Sequence, residues 1–308
     1  MSKIVLLATE KPFAQVAVNE IEEIFNTAGY ELIKLENYTD PKELIQAVRN
    51  VDAMIIRSDK ANADVINASE KLKIIVRAGA GYDNIDLDAS TAKGICAMNT
   101  PGQNSNAVAE LAFGMMLFLA RKKFVQGSGT ELRGKTLGIH AYGNVGRFVA
   151  MIARGFGMKI VAFDPYVPRE KMEAEGIEVA ETVEDLYMNS DYVSLHIPAN
   201  SETRESINYS LLSRMKNGGC LINTARKEVI NESDLVKIMT ERTDLMYATD
   251  VAPTNHTEMN EKFAQRYHAT AKKMGAQTAE ANINAGAAAA RQIVNFFVNN
   301  DTTFQVNK

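Results

Sequence analysis

Residues 136–164, TLGIHAYGNVGRFVAMIARGFGMKIVAFD, limit what this chain can fold into more than any other stretch. TLGIHA is a mostly apolar run of strand length. A tight glycine turn follows, Ala141-Tyr142-Gly143-Asn144-Val145-Gly146, and behind it Phe148, Val149, Ile152, Ala153 and Phe156 recur at helical spacing. Gly155 and Gly157 close that helix, and KIVAF predicts a second strand ending on Asp164. The stretch reads as a βαβ unit. Where a strand feeds a helix through glycines, the backbone can approach a pyrophosphate and the helix N-terminus offers unpaired N–H groups to its charge. Tyr142, Gly143, Asn144, Val145 and Gly146 are therefore the expected dinucleotide-binding residues. A carboxylate about 20 residues further on suits a ribose diol and repels a 2′-phosphate, so Asp164 favours NAD over NADP. Ala141 stands where the usual G-x-G-x-x-G pattern has its first glycine, so the assignment draws on the strand, helix, strand and acid around the turn. The competing reading is a βαβ unit whose glycines serve helix packing alone.

At 308 residues the chain has room for two domains of roughly 100 to 200 residues each. A net charge of −4 gives no electrostatic footprint for nucleic acid or an anionic membrane, so an anionic substrate must be caught by local cations. Cys96 and Cys220 lie in apolar surroundings without CxxC or Cys/His spacing, which predicts buried thiols and neither a disulfide framework nor a metal site. The N-terminal MSKIVLLATEKPF reads as a first strand and not as a signal peptide, and no uninterrupted apolar window has membrane-spanning length. The expected setting is the cytoplasm, with a small-molecule partner and neither nucleic acid nor membrane.

Along the chain, strands at 3–9, 30–35, 53–56 and 73–78 alternate with helices at 14–28, 41–48 and 64–68, and the alternation resumes after Asp164. That pattern implies parallel sheets with helices on both faces. The predicted class is α/β, with two Rossmann-like doubly wound domains: a discontinuous substrate domain, 1–98 and 284–308, and a nucleotide domain, 99–283. Ligands in such sheets bind beyond the carboxyl ends of strands, where RSDK (57–60) and AGAG (78–81) both fall. Arg57, Ser58 and Lys60 are candidate substrate ligands, although a solvated loop charge is the competing reading for Lys60. Ala80 and Gly81 lie in a turn whose glycines free backbone N–H groups for an anion-binding nest. NTPGQNSN (99–106) adds Asn104 and Asn106 ahead of an apolar helix over 107–120.

Taken in order, RAGAGYDNID, NTPGQNSN with VAEL, the glycine turn with Asp164, SLHIP, INTARKEVI, ATDVAPT and KMGAQTAEANINAG resemble the NAD-dependent D-2-hydroxyacid dehydrogenases over nearly the whole chain. Within that family they resemble the short, lysine-bearing branch of D-3-phosphoglycerate dehydrogenases. The resemblance implies that Arg226 binds the substrate carboxylate and carbonyl, that Asp250 accepts from the nicotinamide amide, and that His196 and Pro198 form a wall near the adenosine. It extends the cofactor set to Thr203, Thr224, Ala225, Gly275 and Ala276. Two positions depart from the family pattern: its glutamate falls at Asn255 and its catalytic histidine at Lys273. A lysine can take the hydroxyl proton if desolvation and neighbouring cations lower its pKa, and a carboxylate beside it would hold it charged, so the two replacements make joint sense. Arg226 and Lys273 are the expected catalytic pair, with His256 and His268 as other candidate bases. The implied reaction is oxidation of 3-phospho-D-glycerate to 3-phosphohydroxypyruvate by NAD, the first step of phosphorylated serine biosynthesis, in a homodimer joined through the nucleotide domain and without a serine-sensing domain. The alternatives are a glyoxylate- or hydroxypyruvate-type keto-acid reductase and a non-catalytic NAD(H)-sensing protein.

Overall fold

The computed structural model describes residues 2–125 and 127–307. It opens with β1 (Ile4–Thr9), α1 (Gln15–Ala28), β2 (Glu31–Glu36), α2 (Pro41–Ala47), β3 (Ala53–Ile56), α3 (Ala63–Ala68), β4 (Ile74–Arg77), α4 (Leu87–Ala92) and β5 (Cys96–Asn99). A long apolar helix, α5 (Ser105–Ala120), leads to β6 (Thr136–His140), α6 (Asn144–Gly155), β7 (Lys159–Phe163), α7 (Arg169–Ala174), β8 (Glu178–Val179), α8 (Val183–Asn189) and β9 (Tyr192–Leu195). Then come α9 (Tyr209–Leu212), β10 (Cys220–Asn223), α10 (Glu232–Glu241), β11 (Met246–Thr249), α11 (His256–Phe263), β12 (Tyr267–Ala269) and α12 (Ala279–Asn299). The chain divides into two compact units, residues 1–104 with 277–308 and residues 105–276. The boundaries drawn from sequence, 98/99 and 283/284, fall inside β5 and α12, each a single hydrogen-bonded element.

The first unit is a five-stranded parallel sheet in the order β2-β1-β3-β4-β5. Its inner strands are buried on both faces, as helical crossovers require of a parallel sheet. Val5, Leu7, Ile55, Val76 and Met98 pack with α1 and α12, whereas Leu6, Ala8, Met54, Ile56 and Ile75 pack with α2 and α3. At Gly286 an added Cβ would lie 2.9 Å from Ile21 Cδ1, so glycine sets how closely α12 approaches α1. Helix starts follow their side chains: Asp40 caps α2 in a reciprocal box with Glu43 behind Pro41, and Asn62 and Asp86 cap α3 and α4. The C-terminal tail returns to this sheet, where Met98 bridges Gln305. Asn307 Oδ1 accepts from Ala97 N–H at 2.8 Å, and its Nδ2 donates to Ile95 O at 2.8 Å and to Thr91 Oγ1 at 3.1 Å.

The second unit is a seven-stranded parallel sheet ordered β12-β11-β10-β9-β6-β7-β8. Leu137, Ile139, Ala162 and Ile222 face α5 and α6 in one core layer, and Val193, Leu195, Leu221 and Tyr247 face the other. Strand order reverses between β6 and β9, and doubly wound sheets open their binding crevice at such a switch point. His140, the last residue of β6, is 8% exposed, with its ring edge-on to Phe163 and Tyr187 and its Nδ1 3.3 Å from Tyr187 Oη. Burial pulls its pKa down to about 4, against a smaller opposing pull from Asp164. Cys96 and Cys220 are free, buried thiols.

Two outcomes follow for stability. Asn307→Ala strips partners from two buried backbone groups and is expected to cost about 2–3 kcal/mol in urea unfolding. His140 stays neutral in the fold while the unfolded chain takes up its proton below about pH 6.5. Stability is therefore lost as pH falls from about 6.5 toward 4, by about 1.4 kcal/mol per pH unit from this residue, and His140→Leu should flatten the measured slope by that amount.

Candidate active site

The turn between β6 and α6 has the features a dinucleotide requires. An added Cβ at Gly146 would sit 2.4 Å from Ala141 O, so only glycine lets the helix approach the turn this closely. An added Cβ at Gly143 would meet no protein atom within 4 Å, which leaves open space above the exposed helix start at Gly143 and Asn144. There the first N–H groups of α6 lack intrahelical partners. Ala141 adopts φ +80, a left-handed conformation that strains an alanine by roughly 1–2 kcal/mol. Asp164, at the end of β7, accepts from Tyr142 N–H at 2.8 Å and Tyr166 N–H at 2.9 Å, which fixes both carboxylate oxygens at the turn. Tyr142 lies in the turn by its backbone. Its side chain is 1% exposed and its hydroxyl donates to Glu175 at 2.9 Å, so the phenol belongs to the core and only its backbone borders the site.

The strand ends of the second unit stand level. Pairing matches Ala269 with Thr249, Thr249 with Asn223, Asn223 with Leu195, Leu195 with His140 and His140 with Phe163. The next residues of these six strands, Thr270, Asp250, Thr224, His196, Ala141 and Asp164, therefore form one row along the carboxyl edge. His196 Nδ1 faces Thr224 Oγ1 at 3.5 Å, while its buried Nε2 has no partner among the described residues. Burial, with His140 nearby, pulls the His196 pKa down to about 3, so the ring is neutral and cannot serve as a cation. Pro198 is exposed, and its carbonyl accepts from Thr203 Oγ1 in the loop beyond. Arg226 is exposed two residues past Thr224; Nη1 donates to Ala225 O at 2.9 Å, and no ion pair engages it among the described residues. Ala225 N–H and Arg226 O are held in turn by Asn223.

Lys273 is exposed on the loop after β12. Asp250 is 1% exposed beneath that loop, where it accepts from Thr270 Oγ1 and from the N–H groups of Met274 and Gly275. Ala276 closes the same loop. Asn255 occupies the N-cap position of α11 without a side-chain cap bond, and its buried Oδ1 has no hydrogen-bond partner among the described residues. The two fallback histidines are engaged in packing. His256 Nδ1 is 2.7 Å from Tyr267 Oη, and His268 lies against Phe118 with ring centres 4.7 Å apart, its pKa lowered first by burial and then by Lys123.

In the first unit, Arg57 and Arg77 occupy the ends of adjacent strands β3 and β4. Arg57 donates through Nη1 to Lys11 O and Pro12 O and through Nη2 to Asn282 Oδ1, with its guanidinium over Phe13 at 4.7 Å. Arg77 Nε donates to Arg57 O at 3.0 Å, and its guanidinium fills the space a Cβ at Gly79 would need. Buried Asp59 fixes this corner by accepting from Arg57 N–H, Glu10 N–H and Tyr38 Oη. Ser58, Lys60 and Ala80 are exposed and Gly81 half-buried at the same strand ends, with Asn99 Nδ2 on Ala80 O. Asn104 lies half-buried in the turn that closes the unit. Asn106 belongs to α5 of the other unit, and its amide donates along its own helix to Glu110. Arg77 and Asp59 were absent from the candidates drawn from sequence. The signal for both was position: one opens the RAGAG motif, and the other stands two residues past Arg57 at a strand end.

Residues 107–272 match the family model "D-isomer specific 2-hydroxyacid dehydrogenase, NAD binding domain". A D-3-phosphoglycerate dehydrogenase from Methanocaldococcus jannaschii is 33% identical over 305 residues, which cover 94% of this chain and 56% of the relative. A hydroxypyruvate reductase from Thermotoga maritima is 40% identical over 221 residues, 67% of this chain and 70% of that protein. The crystal structure of an NAD+-bound 3-phosphoglycerate dehydrogenase from Entamoeba histolytica is 48% identical with a TM-score of 0.88, covering 100% of this chain and 99% of that one. The chain spans just over half the length of several relatives it matches. With a parallel sheet, a glycine turn paired to an acidic strand end, and this family's markers in order along the chain, the chain belongs to the D-isomer specific 2-hydroxyacid dehydrogenase family.

Proposed function

We propose that this protein oxidises 3-phospho-D-glycerate to 3-phosphohydroxypyruvate with NAD. The observation that carries the reading is the level row of strand ends, which places Arg226, Asp250 and Lys273 beyond the consecutive strands β10, β11 and β12. The glycine turn and Asp164 lie on the same edge. The residues fit the cofactor: Gly143 leaves space for a pyrophosphate, Asp164 presents a fixed carboxylate to a ribose diol, and His196 Nε2 lacks a partner among the described residues. When bound, NAD accepts the hydride that leaves C2. Lys273, as the neutral amine, takes the C2 hydroxyl proton, and in the reverse direction its ammonium returns it. Arg226 binds the substrate carboxylate through its fork and stabilises charge on the C2 oxygen. Arg57 and Arg77 supply charge for the phosphate, with Ser58, Lys60 and the 79–81 backbone as further donors.

The identities to D-3-phosphoglycerate dehydrogenases support the phosphorylated substrate. The Thermotoga maritima relative keeps an unphosphorylated keto acid as the second reading. A homodimer through the second unit belongs to the same proposal, supported by Phe124 and Val125, which are 68% and 76% exposed just past α5. The two buried free thiols accord with a cytoplasmic setting, and among the described residues no helix is long and apolar enough to cross a membrane.

NADH formation across a pH series tests this reading, with 3-phospho-D-glycerate as substrate and D-glycerate as the control. Lys273→Ala is expected to lower kcat by about 10²–10⁴-fold while NADH still binds. Arg226→Lys should lower kcat/KM by roughly 10²-fold. Equal turnover of D-glycerate would move the keto-acid reductase to first place, and tight NADH binding without turnover of either acid would leave a sensor.

A further inference from the structure

Asp59 is 3% exposed at the carboxyl edge of the first unit's sheet, just past β3. A carboxylate persists in such a place only where hydrogen bonds replace its hydration. Its donors come from three separate stretches of chain. Glu10 N–H, just past β1, donates to Oδ1 at 2.6 Å, and Tyr38 Oη, just past β2, donates to the same oxygen at 2.7 Å. Arg57 N–H donates to Oδ2 at 3.1 Å. One side chain thus ties together the carboxyl ends of β1, β2 and β3. Burial, with Asp59 beside it, pushes the Tyr38 pKa up, so the phenol stays a donor.

Both supports of Arg57 run through this carboxylate. Its backbone is held by the bond from its own N–H, and its guanidinium donates to Lys11 O and Pro12 O, in the loop that Glu10 opens. Asn282 Oδ1 and the Phe13 ring complete that cradle. Asn84 Nδ2 donates to Asp59 O at 2.6 Å, and Asn84 Nδ2 and Arg77 Nε both reach Arg57 O, at 3.2 and 3.0 Å. The backbone over 57–59 is therefore pinned, while Ser58 and Lys60 stay exposed. Burial lowers the Arg57 pKa and Asp59 opposes it, so the guanidinium keeps its charge.

Donors fixed in advance bind an anion better than donors that must be ordered when it arrives, because ordering consumes affinity. We propose that Asp59 is the positioning residue for the substrate phosphate: it locks the 57–60 loop to the 10–13 loop, aims Arg57, Ser58 and Lys60 at the phosphate without touching it, and so favours phosphorylated over unphosphorylated acids. This rests on the phosphorylated-substrate reading. An amide cannot take over the task. In Asp59→Asn, Nδ2 must face either the Arg57 N–H or the Glu10 N–H, donor against donor.

Steady-state NADH formation by the full chain tests the lock, with 3-phospho-D-glycerate and D-glycerate as substrates and NADH affinity read by fluorescence. Asp59→Asn is expected to raise KM for the phosphorylated acid by about 10- to 100-fold, the scale of a roughly 1 Å misplacement, with kcat within about threefold. Because D-glycerate and NADH do not use the phosphate donors, kcat/KM for D-glycerate should stay within about threefold and NADH affinity within about twofold. Tyr38→Phe removes one donor and leaves the two backbone bonds. It should raise the same KM by about 3- to 10-fold, and it covers the case in which Asp59→Asn fails to fold. In any variant that folds, an unchanged or lowered KM for the phosphorylated acid overturns the role, the lowered value being what relief of charge repulsion would give. An equal loss on both acids, the mark of a general loosening of the unit, overturns it too. A wild-type enzyme that turns over D-glycerate as readily as the phosphorylated acid would instead overturn the phosphate reading, and the lock's part in specificity with it.

Discussion

Parallel pairing is the constraint on which the rest of the molecule depends. When every strand runs the same way, each must return by a crossover on the opposite side, so all carboxyl ends open along one edge and all amino ends along the other. In the second unit the register makes that edge level from Ala269 to Phe163, and six side chains or turns from distant points in the sequence enter one row. Packing alone does not place them there. The hydrogen-bonded ladder does, because a slip of one residue in any strand would turn its apolar side chains out of one core layer and into the other. The cores at 0% exposure, Leu137 and Ile139 on one face and Val193 and Leu195 on the other, hold the row in register.

The same constraint makes much of the fold legible in the sequence. Strands buried on both faces are continuous apolar runs, and IVLLAT, AMII and CLIN announce themselves whatever surrounds them. Amphipathic helices such as α1 and α10 do the same through their spacing. The elements that escape such a reading are short or built from weak formers. β8 has two residues and β12 three, α9 four, and α4 is LDASTA, whose start is set by the Asp86 cap more than by an apolar face. No periodicity can be measured over two or three residues. These elements exist because neighbouring strands or helices offer them partners.

Site residues divide along a similar line. Backbone roles are legible, because a strand-to-helix turn this tight leaves room for little but glycine, and the turn pairs with Asp164 through Tyr142 N–H. Side-chain directions are not. Tyr142 sits in the middle of the fingerprint yet gives its ring to the core, and Asn106 gives its amide to Glu110 one helical turn on. Arg77 closes β4 and reads as the last residue of a strand until the sheet brings it beside Arg57. Asp250 shows the limit most clearly. Motif order finds the residue, but its engagement by the Lys273 loop depends on contacts 20 to 25 residues away in sequence that only the fold creates.

That engagement bears on why a lysine stands at position 273 with an asparagine at 255. A histidine base works well with a carboxylate beside it, because the negative charge raises an imidazole toward neutral pH; beside a lysine the same charge would hold the ammonium. The surroundings of Asn255 Oδ1 are buried and offer it no donor among the described residues. A neutral amide oxygen tolerates that at a penalty of about 1–3 kcal/mol, whereas a carboxylate at the same point would be penalised far more. The environment at 255 therefore disfavours a carboxylate there. The carboxylate the site does keep, Asp250, has its oxygens engaged by the loop backbone and a hydroxyl, so its negative charge is spread over three donors. The Asp250 carboxylate thus joins the end of β11 to the loop that bears Lys273 through one hydroxyl and two backbone N–H groups.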